Sequence, residues 1–140
     1  MMADQPGRYE MNRELMLIIA SLLSILLITL HVTDDIVRGF DAAGPANLIG
    51  ILIAGVWLCG TLLLNRRLAG YIIMLLGGIF ALGMPLIHLR GTHIGETVRS
   101  AGGYFFLWTL FALGILGIFC IVLTILQLWA LRSRMKREAV

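Results

Sequence analysis

Charge is scarce in this chain: 14% of its residues are Asp, Glu, Lys or Arg, against 59% apolar ones. Soluble domains carry roughly 25% charged residues, so water is not the main solvent for these side chains. Four long stretches, residues 15–32, 48–64, 68–87 and 104–131, contain no Asp, Glu, Lys or Arg. They also lack the polar–apolar alternation of a membrane barrel. Lipid cannot hydrogen-bond the free edge of an open sheet, so strands are excluded and helices remain. Cysteine is limited to Cys59 and Cys120, both inside apolar stretches and neither in a C-x-x-C. That argues against surface thiol–disulfide exchange and reads as two small core residues. HExxH and other specific ligand motifs are missing, and no catalytic motif marks an enzyme. No basic face is interleaved with aromatics, so a net charge of +3 gives no reason to expect nucleic acid as a partner.

What the chain does have is four runs of lipid-crossing length, since a hydrocarbon core of about 30 Å takes roughly 17–25 helical residues. The fold class that follows is an all-α integral membrane protein, a four-transmembrane-helix antiparallel bundle. It forms one domain over residues 1–140, with spans near 14–37, 47–64, 68–88 and 104–131. The first run exceeds the apolar core of a signal peptide and no small-x-small site follows it closely, so it is expected to stay as a span. No myristoylation or prenylation signal is present, so anchoring is expected by spanning. Of the 11 Lys and Arg, Arg8, Arg13, Arg66, Arg67, Arg132, Arg134, Lys136 and Arg137 fall on one side, and Arg38, Arg90 and Arg99 on the other. The positive-inside rule then places both termini in the cytoplasm, the expected location being a cytoplasmic membrane.

The element boundaries follow from local chemistry. Residues 1–13 read as a short polar, mobile tail. Helix 1 should continue past His31 to Ile36 or Val37, because "TDDIVRGF" holds no breaker before Gly39, and "DAAGP" then ends it. "NRR", Asn65 to Arg67, is a tight connection between antiparallel neighbours. Pro85 should kink the end of helix 3. The connection "LRGTHIGETVRSAGG" reads as flexible, with a helical turn feasible over residues 92–100. Tyr71, Tyr104, Trp108 and Trp129 fit interfacial belts, whereas Trp57 lies mid-span and should seek an acceptor such as Ser24 or a backbone carbonyl.

Two stripes recur at alternating spacings of three and four. Ser21, Ser24, Ile28, His31, Asp35 and Arg38 share one face of helix 1, and Tyr71, Met74, Gly78, Ala81, Pro85 and His88 share one face of helix 3. Gly50, Ala54, Trp57 and Thr61 form a comparable seam on helix 2, as do Gly117, Cys120, Thr124 and Gln127 on helix 4. Small residues at such seams let helix backbones approach.

Because helices 1 and 3 run the same way, His31 and His88 should end at similar depth, near Asp34, Asp35, His93 and Glu96. The segment "HVTDDIVRGF" is expected to be a helix extension in which Asp35 and Arg38 share the face of His31 and pair, with Asp34 turned partly aside. A candidate metal site therefore comprises His31, Asp34, Asp35, His88 and His93, a donor set that zinc or copper accepts. A haem b held by His31 and His88 is a second possibility, and a quinone pocket using the same groups a third. A proton path along Ser21 and Ser24 would be closed off from His31 by Ile28. From the residues alone, the expectation is a non-enzymatic accessory or scaffolding subunit with a polar His/Asp cluster at its extracytoplasmic rim. It would self-associate through glycine-rich faces or sit in a larger membrane complex. The rival is a metal- or haem-binding redox protein working through His31, Asp35 and His88.

Overall fold

The computed structural model describes residues 6–39, 44, 47–89 and 101–138. Among these residues the chain is helical almost throughout, in four helices: α1 (Pro6–Arg38), α2 (Asn47–Leu62), α3 (Leu68–Leu89) and α4 (Ala101–Glu138). The apolar runs dictate three of them. α1, α3 and α4 are each long and apolar enough to cross a membrane. α2, at 16 residues, is the short one, about 24 Å at 1.5 Å per residue.

Helix ends follow from backbone chemistry. Gly39 stops α1 in the left-handed region (φ 73°), which a residue without Cβ enters at no steric cost. Its N–H is donated to the Ile36 carbonyl at 3.1 Å. Asn47 opens α2, its side-chain oxygen accepting from the Gly44 N–H at 2.7 Å. The turn between α2 and α3 is tight because Arg66 takes φ 66°, a costly conformation for a residue with a side chain.

Two boundaries differ from the sequence expectation. The supposed tail from Pro6 onward is helical and belongs to α1, with Pro6 at the first position, where its missing N–H costs nothing. α4 starts at Ala101, taking in Gly102 and Gly103, and runs 38 residues to Glu138. α3 ends at Leu89, within a residue of the expected end, with Pro85 inside it. A helical turn over residues 92–100 lies outside the described residues.

α4 is the hub, packing along both α3 and α1, with α2 set to one side. At Gly117 its contact with α3 is backbone against backbone. A Cβ added at Gly117 would lie 2.7 Å from the Leu82 nitrogen and 2.8 Å from the Gly78 carbonyl oxygen. α2 buries only Trp57, Gly60 and Thr61. The Trp57 indole covers Gly77 of α3, filling the space a side chain there would need.

The stripe on α1 faces the interior: Ser21, Ser24 and His31 are 0% exposed, Ile28 6% and Asp35 9%. Its hydroxyls are used locally and between helices. Ser24 donates to the Ala20 carbonyl at 2.8 Å, and Thr61 donates to the Trp57 carbonyl at 2.9 Å. That leaves the Thr61 oxygen to accept from Ser21 at 2.7 Å, joining α1 to α2. Two expectations are corrected here. Trp57 Nε1 is buried with no hydrogen-bond partner, so the acceptor expected for it is not found among the described residues. Of the two cysteines, Cys120 is buried but Cys59 is exposed on the outer face of α2. The reason is that α2 turns only one narrow strip toward the bundle.

Candidate metal centre

His31 and His88 come from different helices but meet. Parallel α1 and α3 both run toward this end of the bundle, and matched three-four spacings carry their inner faces to it. The ring centroids lie 4.9 Å apart with the planes at 82°. Phe106 of α4 stands against both, at 4.8 Å from His31 and 5.6 Å from His88. Asp35, one helical turn beyond His31, completes the group. Its Oδ2 is 3.7 Å from His31 Nε2 and 3.6 Å from His88 Nε2.

The surrounding hydrogen bonds assign the tautomer of each ring. His88 Nδ1 is 2.9 Å from the Met84 carbonyl oxygen. A carbonyl only accepts, so Nδ1 carries a hydrogen, and in the neutral ring the lone pair is on Nε2. Thr109 donates its one hydrogen to the Phe106 carbonyl at 2.9 Å. Its oxygen, 3.5 Å from His31 Nδ1, is therefore the acceptor of that ring's N–H. Both imidazoles thus turn Nε2 toward one carboxylate, and each is a lone-pair donor there in the neutral ring. His31 Nε2 is buried without a hydrogen-bond partner.

The spacing is that of ligands rather than of hydrogen bonds. Charge-assisted N–H···O bonds run about 2.7–2.9 Å, and the two N–O separations exceed this by far. One ligand atom from each of His31, Asp35 and His88 lies within 4.8 Å of the others. Around a tetrahedral ion with bonds of about 2.0–2.1 Å, ligand atoms sit about 3.3–3.4 Å apart. Shifts of a few tenths of an ångström would close the two N–O distances around an ion, while the widest separation in the set, up to 4.8 Å, would have to close by more than an ångström. His88 Nδ1 is held by a carbonyl at 2.9 Å and His31 Nδ1 lies 3.5 Å from a hydroxyl, contacts of the kind that orient metal-bound histidines.

Asp34 stands outside the triad. Its Oδ2 accepts from Arg38 Nε at 2.6 Å, which corrects the expected pairing of Arg38 with Asp35. Residues 34 and 38 are four apart and face each other across one turn, while Asp35 turns inward. The guanidinium lies over Gly102 at the start of α4, where any Cβ would collide with it. His93 and Glu96 lie outside the described residues. Haem b is not accommodated by this arrangement. Two axial imidazoles must hold a porphyrin between them, and rings in edge contact about a shared carboxylate leave no such layer. Thr109 and Phe106 were not singled out from the sequence, because nothing in a run of apolar residues marks which positions will reach across to another helix.

No family model, curated protein or solved structure matches the chain, so its function is read from the residues themselves.

Proposed function

We propose that this chain is a small multi-pass protein of a cytoplasmic membrane. It holds one divalent transition-metal ion between His31, Asp35 and His88. In this reading α1 to α4 all span, with both termini cytoplasmic, and the triad lies at the extracytoplasmic end. The excess of Lys and Arg at the opposite end supports that orientation. α2 is short for a bilayer about 30 Å thick, and Leu63 and Leu64 of the following turn extend its apolar length.

The observation that carries the metal reading is the convergence of two imidazole Nε2 atoms on one carboxylate oxygen, at 3.6 and 3.7 Å. Two imidazoles and a carboxylate suit borderline ions such as Zn²⁺ better than Mg²⁺ or Ca²⁺, which favour all-oxygen sets. With no catalytic motif beside it, the triad fits an accessory subunit that binds metal better than one that turns over substrate.

Titration of the full-length, metal-stripped protein in detergent with Zn²⁺ is the test. One equivalent should bind, and His31→Ala or His88→Ala should weaken binding by at least about 100-fold, as for loss of a ligand. No stoichiometric uptake, or uptake unchanged in both variants, would contradict the proposal.

A further inference from the structure

The end of the bundle away from the histidines holds a second polar recess, of about 340 Å³. It is framed by the N-terminal part of α1, the 63–67 turn, the start of α3 and the end of α4. Its lining carries both signs of charge: Glu10 and Glu14 from α1, Arg66 from the turn and Arg134 from α4. Arg66 Nε is donated to Glu14 Oε1 at 2.6 Å, and Arg134 pairs with Glu10.

The acids are the sheltered partners. The Glu14 and Glu10 side chains are 15% and 32% exposed, whereas Arg66 and Arg134 are 72% and 61% exposed. Tyr71 and Gln127 lie deeper still, each 6% exposed. Among the described residues, no group hydrogen-bonds the Tyr71 hydroxyl. The recess therefore offers guanidinium donors at its rim, carboxylate acceptors below them and a phenol inside.

Depth narrows the occupant. The uncharged runs of α1, α3 and α4 begin or end at Leu15, Leu68 and Leu131, level with this recess. If the helices span as proposed above, on which this step rests, that level is the headgroup layer. We propose that the recess binds the headgroup of a zwitterionic phospholipid with a primary ammonium, phosphoethanolamine. Its phosphate would accept from Arg66, Arg134 and Tyr71, and its ammonium would donate to Glu10 and Glu14. Such a headgroup is electrically neutral, matching a lining of two acids and two arginines. A second anion would meet the sheltered carboxylates, and a choline has no N–H to give them.

The test is native mass spectrometry of the full-length protein, released from mixed micelles holding equal amounts of phosphatidylethanolamine, phosphatidylcholine and phosphatidylglycerol. Phosphatidylethanolamine should be retained over phosphatidylcholine by about tenfold, the scale of one or two charge-assisted hydrogen bonds. The preference should fall stepwise with N-methylation and vanish in Glu10→Gln/Glu14→Gln. Because those acids also tie helices together, the selectivity ratio is the readout rather than stability. Tyr71→Phe is a gentler second variant that should lower retention of every phospholipid. Equal retention of the ethanolamine and choline lipids, or of the ethanolamine and glycerol lipids, would overturn the proposal. A chain recovered in solution without lipid would instead remove the spanning reading beneath it.

Discussion

Two adjacent carboxylates on α1 have different fates, and one helical step decides them. Consecutive residues are set about 100° apart round the axis, so Asp35 joins the inward stripe while Asp34 lies beside it. Arg38 is four residues from Asp34 and three from Asp35, and either spacing permits an ion pair. The observed pair is Arg38 with Asp34, at 2.6 Å, while Asp35 Oδ2 faces the two histidines at 3.7 and 3.6 Å. If the triad holds a metal as proposed, the Asp34 pair would hold the Arg38 cation away from it. Asp34→Asn should let Arg38 reach Asp35 and weaken Zn²⁺ binding by about tenfold, within the range of second-shell changes. Asp34→Asn/Arg38→Met should regain most of that loss. Competition against a chromophoric chelator measures both. An unaffected single variant, or a double variant no better than it, would show that Arg38 does not compete. At this scale the sequence was only partly legible. The three-four spacing put His31 and Asp35 on one face, but the choice between two acids for one arginine depends on where α4 lies, which spacing does not encode.

At the scale of elements, the inner faces were readable because small and polar residues recur at helical period in otherwise uniform apolar runs. The Ser21–Asp35 and Tyr71–His88 stripes are both turned inward. The ends of elements were less legible, because tertiary partners set them. α1 reaches back to Pro6 in a structure where Glu10 and Glu14 have Arg134 and Arg66 to pair with, and residue type alone made that segment look like a tail. Trp57 shows a different limit. Its shape is used to cover Gly77 while its N–H goes unpaired, at a cost of about 1–3 kcal/mol. Packing outweighed hydrogen bonding at that position.

Glycines of the same composition also divide by element. Gly117 meets the backbone of α3, whereas Gly55 of α2 would meet nothing within 4 Å. Gly117→Ala should destabilise the bundle by about 1–3 kcal/mol, the range for overpacking, because backbone atoms cannot move aside as a side chain could. Gly55→Ala should be neutral or stabilising by up to about 1 kcal/mol. Reversible unfolding in mixed micelles compares the two. Equal effects would mean that the close α3–α4 contact is not what holds the bundle.

The whole molecule is a dry bundle with a polar group at each end. Ile28, Ala81 and Leu113 form part of the packed core, and on α1 Ile28 separates Ser24 from His31. The hydroxyls toward the other end are already bonded to backbone carbonyls or to one another, as packing devices are. A centre at one end, closed from the other, suits holding an ion better than conducting one. Helix count and the parallel course of α1 and α3 could be reasoned from run lengths and turns. How closely the histidines approach could not, because it depends on the α3–α4 backbone contact and on Phe106 closing the third side.

The most direct measurement is X-ray absorption at the zinc edge of the full-length protein loaded with one equivalent. The structure predicts a first shell of nitrogen and oxygen at about 2.0–2.1 Å, with the outer-shell scattering of two imidazoles, one of which is lost in His88→Ala. A shell containing sulfur from Cys59 or Cys120, or one with a single imidazole unchanged by that substitution, would contradict it.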